Sequence, residues 1–318
     1  MAQSSIEWTQ QTWNPTTGCT KISAGCRDCY AEIMHRRLRA MGQAKYAEPF
    51  NVVVTHPDEL KRTFGRKPTI VFVNSMSDLF HKDIPLEFIQ QAFAAMIAQP
   101  QHIFQVLTKR PERAYEFSSQ LIWPDNIWLG TSVEDDKQLD RITFLQETDA
   151  KVKFLSIEPL IGPIPAHHIV GVDWVIVGGE SSRRARPMKH EWVEAIRLQC
   201  EKEGIAFFFK QWGGKNKKLT GRLLNGRTYD EMPITKQLAS STLLEARQLT
   251  WENQAEVRDW CGGKIWSKPP LRAVSGLFIP TDTGQIDVAF GDYILKYTDG
   301  SFERVDQLAY YAGNYEHS

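Results

Sequence analysis

Six short, almost unbroken apolar runs occupy the middle of this chain, and each ends on polar or charged side chains. Residues 69–73 run into Asn74, Ser75, Met76, Ser77 and Asp78; residues 102–107 into Thr108, Lys109 and Arg110; residues 127–130 into Thr131, Ser132, Val133 and Glu134. Residues 152–155 run into Ser156, Ile157 and Glu158, residues 174–177 into Gly178, Gly179 and Glu180, and residues 205–209 into Lys210 and Gln211. Helical spacing fills several gaps. Phe88, Ile89, Phe93, Met96 and Ile97 follow Pro85; Leu139, Ile142 and Leu145 form a second set; Trp192, Ile196 and Cys200 precede Gly204. A short helix is expected from about Glu112 to Ser118. Strands apolar on both faces are buried on both faces, which is the signature of a parallel sheet covered by helices. The pattern predicts an α/β fold: a partial or full β/α barrel of about six parallel strands, with its chemistry at the C-terminal strand ends. A doubly wound open sheet satisfies the same pattern, although no glycine-rich dinucleotide fingerprint opens any unit.

Upstream of these units, three of the five cysteines fall within residues 19–29 as Cys19, Cys26 and Cys29, spaced C-x6-C-x2-C. Clustered thiolates select soft metal centres, zinc or iron–sulfur. Structural zinc closes four ligands, and His35 is the nearest imidazole that would complete a Cys3His set. A four-iron cluster also takes four ligands, so three cysteines leave one iron open to something other than protein. After the cysteines, Ala31, Met34, Leu38 and Met41 recur at helical spacing before Gly42. Cys200 falls in a core-helix pattern and Cys261 has no partner, so neither is assigned to metal. An odd cysteine count with three clustered argues against a disulfide framework and for a reducing, cytoplasmic setting.

The cysteine stretch resembles the radical S-adenosylmethionine superfamily, in which three cysteines hold a [4Fe-4S] cluster whose fourth iron chelates S-adenosylmethionine. More closely, the chain is similar to a phage and prophage family known as gp thirty-seven / gp sixty-eight. The shared blocks are Glu7-Trp8-Thr9, Trp13-Asn14-Pro15, the cysteine stretch through Cys29-Tyr30-Ala31, and Leu107-Thr108-Lys109-Arg110-Pro111. They continue through Ser156-Ile157-Glu158-Pro159-Leu160, Gly178-Gly179-Glu180-Ser181 and Phe209-Lys210-Gln211-Trp212-Gly213, covering residues 1–232. One departure stands out: the commonest superfamily spacing is C-x3-C-x2-C with an aromatic before the last cysteine. Here the first loop is longer, Asp28 holds that position and Tyr30 follows.

The resemblance implies a [4Fe-4S] cluster on Cys19, Cys26 and Cys29, S-adenosylmethionine as cofactor, and an electron donor such as flavodoxin or ferredoxin. It implies a phage- or prophage-encoded enzyme in a bacterial cytoplasm. It also implies the reaction: one electron splits a carbon–sulfur bond of the sulfonium, and the 5′-deoxyadenosyl radical takes a hydrogen atom from substrate. The strand ends supply matching chemistry. Asn74, Ser75, Ser77 and Asp78 suit the ribose or the methionine amine, Lys109 or Arg110 its carboxylate, and Ser132 and Glu134 offer further acceptors. Glu158, Glu180 and Lys210 are expected to face the substrate as catalytic residues. Gly178-Gly179-Glu180 resembles the superfamily's glycine-glycine-glutamate element but comes several units too late, so its glycines are expected to admit a ligand close to the backbone. Arg183, Arg184, Arg186 and Lys189, then Lys215, Lys217, Lys218, Arg222 and Arg227, bias this region toward phosphate, and Trp212 suits a stacked base. These point to a nucleotide or nucleic-acid substrate, modified or repaired. The competing reading is a zinc- or cluster-containing nucleic-acid-binding protein without radical catalysis.

Composition mainly excludes. The 38 basic and 38 acidic residues cancel, so no global field recruits nucleic acid or membrane. No apolar run is long enough to span a bilayer, and the first five residues do not open a signal peptide. Beyond Gly213 the texture changes to a basic, glycine-rich stretch, a hairpin or latch at 221–227, and a linker or loose helix at 235–250. A helix at 251–260 and short strands at 277–279, 286–290, 293–297 and 302–305 follow, the last two joined by Asp299-Gly300. The expected division is a barrel domain, residues 1–232, and a β-rich module, residues 233–318. The module resembles a domain of phage proteins through Gly291-Asp292-Tyr293-Ile294 and Tyr315.

Overall fold

The computed structural model describes residues 6–233, 243–250, 252–267, 274–281, 284–297 and 302–305. In chain order its first elements are β1 (Gln11–Trp13), β2 (Thr16–Thr17), α1 (Tyr30–Ala40), β3 (Val54–Thr55) and β4 (Ile70–Val73). Next come α2 (Leu86–Ile97), β5 (Ile103–Thr108), α3 (Pro111–Glu116), β6 (Ile127–Ser132), α4 (Asp140–Gln146) and β7 (Val152–Ile157). Then follow β8 (Trp174–Gly178), α5 (His190–Glu203), β9 (Ala206–Gln211) and α6 (Lys217–Thr220).

Seven strands form one sheet in the order β1-β4-β5-β6-β7-β8-β9, with every neighbouring pair parallel. The order never reverses, which removes the doubly wound alternative and leaves the stepwise winding of a β/α barrel. Curvature is visible in one side chain. The Trp8 ring lies 4.7 Å from Phe72 on β4 and 6.2 Å from Trp174 on β8. Four strand spacings of about 4.8 Å would put β4 and β8 about 19 Å apart in a flat sheet. One indole bridges them only because the sheet curls; the end strands β1 and β9 do not pair, so the barrel is partial.

Both faces of the strands are dry, for different reasons. Val71, Val106, Leu129, Leu155, Val175 and Phe209 point outward into one core with Ile89 and Phe93 of α2, Ile142 of α4 and Val193 and Ile196 of α5. The inward set is aromatic: Trp174 packs on Trp128, Phe154 and Phe208 as well as Trp8. Gly130 on β6 is required here, because a Cβ would collide with the Phe154 ring. This plug leaves the opposite, C-terminal end of the strands for polar residues.

The seventh strand, β1, is absent from the expected six. Its three residues are an edge segment headed by Gln11 and Thr12, too short and too polar to register as an apolar run. The two-residue strand β3 pairs antiparallel with β2. Leu224 and Arg227 bridge antiparallel, as a hairpin over 221–227 requires.

The chain separates into two compact units, Met1–Pro233 and Ile234–Ser318. In the second, β10 (Leu243–Gln248), α7 (Gln254–Cys261), β11 (Lys264–Ser267), β12 (Val274–Thr281), β13 (Gly284–Ala289), β14 (Tyr293–Tyr297) and β15 (Phe302–Val305) form two three-stranded antiparallel sheets. Residues 243–248 are a strand rather than linker or loose helix, paired with β14. Leu249, Val257, Cys261, Leu277 and Ile294 make the core. Strands β14 and β15 pair as expected, while the Asp299-Gly300 turn and Tyr315 lie outside the described residues. Among the described residues no helix is long and apolar enough to cross a membrane.

Candidate metal and cofactor site

The cysteine loop is set by close backbone approaches. Gly18 adopts φ +84°, and a Cβ there would collide with the Val52 carbonyl; Cys19 N then donates to Phe50 O at 2.7 Å. Cys26 ends a single 3-10 turn, Ala24–Cys26, and Cys29 immediately precedes α1. All three thiols are unpaired and line one pocket of about 200 Å³. The strand ends of β4, β5 and β6 supply its other wall: Asn74, Ser75, Ser77, Asp78, Lys109 and Ser132 line the same space, with Arg110 and Tyr30. The structure thus gathers the three expected metal ligands and six of the seven expected cofactor residues.

Hydrogen-bond accounting separates those that hold the site together from those with capacity left. An ionised carboxylate has about four acceptor positions. Asp78 fills them with Thr108 Oγ1 (2.7 Å), Phe80 N (3.0 Å), Lys109 N (3.0 Å) and Arg110 Nη1 (2.8 Å). Asp78 therefore braces β4 against β5 and aims Arg110, leaving nothing for a ribose. Arg110 carries the brace onward, donating to Thr20 O at 3.0 Å and lying 3.7 Å from Cys19 Sγ. Ser77 Oγ donates to Thr16 O (2.8 Å) and Ser75 Oγ to Asn14 Oδ1 (3.2 Å). Asn74 differs. It sits at φ +65°, its Nδ2 donates to Thr16 Oγ1 at 2.7 Å, and its buried Oδ1 has no hydrogen-bond partner among the described residues. An orphaned buried acceptor in a pocket wall is a costly feature unless a ligand donor meets it.

Glu134, the seventh expected residue, lies just outside the pocket and faces the cysteine loop. Its Oε1 accepts from Ser23 Oγ (2.8 Å) and Lys109 Nζ (2.6 Å), and its Oε2 from Arg141 Nη1 (3.0 Å). The loop lies so close that a Cβ on Gly25 would collide with this carboxylate. Glu180 does the same from β8: Oε2 accepts from Arg27 Nη2 (3.0 Å), Arg186 N (2.9 Å) and Arg186 Nε (3.0 Å), and Oε1 pairs with Arg186 Nη2. Both were expected to meet a ligand; in the structure both carboxylates hold the loop. Glu158 and Lys210 form an ion pair at 3.0 Å at the ends of β7 and β9, with Ser156 Oγ donating to Glu158, and neither lines the cysteine pocket.

His35 is not a ligand neighbour. It is buried on α1, its Nε2 shares a hydrogen bond with Glu48 O at 2.8 Å, and its ring packs edge-on against Tyr46 and Phe50. Among the described residues no three His, Cys, Asp or Glu side chains converge where one ion could sit. A cube whose corners are separate irons does not ask its thiolates to converge. The donor set fits such a cluster: three thiols on one wall, a guanidinium beside Cys19, and Lys109 near Cys26.

The thiols differ in acidity. Burial and neighbouring Asp78 push Cys19 up to about 11 despite Arg110, and burial raises Cys29. Burial also opposes ionisation of Cys26, but backbone hydrogen bonds from Ile22 and Ser23, the Ser23 hydroxyl and Lys109 outweigh it and lower its pKa. Metal loading must displace protons from Cys19 and Cys29, so it should release acid.

The two clamp carboxylates have lowered pKa values. Burial works against Glu134, and Lys109, Arg141 and Ser23 overcome it; burial works against Glu180, and Arg186 and Arg27 overcome it. A carboxylate with a folded pKa below its ordinary 4.5 stabilises the folded form above 4.5 and loses that contribution as pH falls through the lowered value. Hydrogen exchange of metal-free protein, corrected for intrinsic rates, should show protection across residues 19–29 constant from pH 7 to about 5 and collapsing below 4.5. Protection that persists far into the acid range would remove the clamps from the account.

Sequence reasoning missed Ser23, Arg27 and Arg141. Arg27 stood inside the cysteine stretch, and its charge was the available signal; Arg141 reads as an ordinary helix residue.

The family model described as "Protein of unknown function (DUF5131)" matches residues 3–233. The chain belongs to the DUF5131 family. The matched span holds the whole barrel unit of this DUF5131 chain, cysteine pocket and clamps included. No curated protein matches it. Among solved structures, a cysteine-to-serine mutant of spore photoproduct lyase is similar at 11% identity and TM-score 0.43, covering 65% of this chain and 78% of that one. Spore photoproduct lyase complexed with dinucleoside spore photoproduct is similar at 12% identity and TM-score 0.35, covering 59% and 60%.

Proposed function

We propose that this chain is a radical S-adenosylmethionine-type iron–sulfur enzyme. The observation that supports it is the shared pocket: Cys19, Cys26 and Cys29 face Asn74, Lys109 and Ser132 across about 200 Å³ at the mouth of a partial β/α barrel. The three cysteines would hold a [4Fe-4S] cluster. Bound there with S-adenosylmethionine, it supplies one electron to a sulfonium and so a radical able to take hydrogen from substrate.

The protein's own residues do the rest. Arg110 balances thiolate charge at Cys19. Asn74 Oδ1 accepts from an amine or hydroxyl of the ligand, and Ser132 lines the wall beside it. Lys109 offers a cation for a carboxylate while Glu134 fixes its position. The Trp8, Trp128 and Trp174 plug closes the inner end against water. Glu158 and Lys210 stand on the β7–β9 half of the mouth, opposite the cysteines in strand order, where substrate would enter. An electron donor such as flavodoxin or ferredoxin completes the reading, as does the kinship to phage proteins implied by the sequence blocks.

Anaerobic protein reconstituted with iron and sulfide, then reduced in the presence of S-adenosylmethionine, should produce 5′-deoxyadenosine, detected by chromatography. A loaded, reducible cluster that yields methionine-intact cofactor and no 5′-deoxyadenosine would reduce the protein to an electron carrier.

A further inference from the structure

A second surface lies outside the cysteine pocket. Residues 181–190 and 210–222 contain nine Arg and Lys and no Asp or Glu, in a chain whose 38 basic and 38 acidic residues cancel. The two segments are joined just ahead of the first, where Gly179 N donates to Gln211 O at 2.9 Å and Gly214 N to Glu180 O at 2.7 Å. Glycine makes this possible, because a Cβ on Gly179 would collide with the Trp212 carbonyl. Between them runs a groove of about 380 Å³ whose walls include Arg186, Met188, Trp212, Gly213 and Thr220.

Some of the cations are already committed, Arg186 to Glu180, Lys210 to Glu158 and Arg222 to Asp230. The side chains of Arg183, Arg184 and Lys215 are exposed and form no salt bridge among the described residues, although Arg184 lies near enough to Asp28 to help lower its pKa. Trp212 is held as a fixed plate. Its Nε1 donates to Leu223 O at 2.9 Å, and His190 stacks on it with ring centroids 5.9 Å apart at 17°.

We propose that this groove binds single-stranded nucleic acid, with a base against Trp212 and phosphates on Arg183, Arg184 and Lys215. A free phosphate has no use for an aromatic wall, and an acidic peptide offers charge without flat rings. A single strand presents both along its length, whereas a duplex hides its base faces. The groove also touches the cysteine loop from outside: Arg186 Nη2 donates to Ala24 O at 3.0 Å, Arg27 Nη2 to Arg184 O at 2.7 Å, and Ser182 Oγ to Asp28 Oδ2 at 3.0 Å. Bound strand would therefore lie against the loop that holds the thiols. The proposal goes beyond the cofactor reading and does not need the cluster.

The test is fluorescence anisotropy of a labelled thymidylate single strand and a duplex of equal length over a salt series, using the full chain as isolated. The parent should prefer the single strand. The triple variant R183A/R184A/K215A, with an unchanged Tm because all three side chains are exposed, should bind tenfold or more weakly. Its slope of log affinity on log salt should fall by about 2, at about 0.7 per lost phosphate contact. Trp212→Leu, which keeps an apolar group against Phe209, should lose about tenfold with the salt slope unchanged. Equal binding of duplex or polyglutamate, or an unaffected triple variant, overturns the proposal. Cys26→Ala protein, which cannot load iron, should bind the strand as the parent does, so failure of the cluster reading and failure of this one give different results.

Discussion

Replacing Cys19, Cys26 or Cys29 singly by Ala should take iron in anaerobically reconstituted protein from about four atoms per chain to near none, with loss of visible colour. Each thiol stands on the same pocket wall, and the pocket offers no other soft ligand: its remaining lining is hydroxyl, amide, carboxylate, cationic and apolar. A cube held at two corners keeps neither its geometry nor its protection from water. Cys200→Ala is the matched control. That thiol is fully buried on α5 among Val193 and Ile196, and burial pushes its pKa up to about 12, so it is an inert packing group. Its removal should leave iron unchanged and cost on the order of 1 kcal/mol of stability. Full iron in any of the three loop variants, or stoichiometric zinc in the anaerobic parent, would sink the assignment.

The second large effect is expected at Glu134. Its side chain is 1% exposed and is shared among Lys109, Arg141 and Ser23. Glu134→Ala strips the acid from two partly or wholly buried cations. Breaking a buried pair by removing one partner costs about 3–5 kcal/mol, because the surviving charge stays desolvated. Melting should shift downward by on the order of 10 °C for a unit of this size. Exchange across residues 19–29 should rise at the same time, since Ser23 loses its anchor. Asp58→Ala, at an exposed pair with Lys61, is the surface comparison and should change Tm by little. A Glu134→Ala protein that melts with the parent and keeps its loop protected would show that the ion cluster is dispensable.

Both predictions concern residues named from the sequence, but for different reasons. Cysteine spacing is a short-range property, so the metal ligands were legible before any fold. The strands of the seven-stranded sheet were legible too, because burial on both faces writes an unbroken apolar run; of those seven only β1, three residues long and partly polar, escaped. In the second unit β10 escaped as well, read as linker or loose helix. Polar strand ends such as Asn74, Asp78 and Ser132 could be collected as a set. Their individual tasks could not be assigned, because a sequence does not show which lone pairs are already used. Asp78 has none to spare, while its neighbour Asn74 keeps one acceptor open in the same pocket.

The amino-acid order alone thus determined a parallel sheet built of strand–helix units, a three-thiol loop ahead of it and a basic, aromatic stretch near its last strand. Periodicity and local spacing are enough for those. Tertiary structure alone decided that Glu134 grips Ser23 across 111 residues and that Arg27 reaches Glu180 across 153. Such pairs depend on how far the sheet curls, a curvature visible in Trp8 meeting both Phe72 and Trp174 in its interior. No local pattern records it.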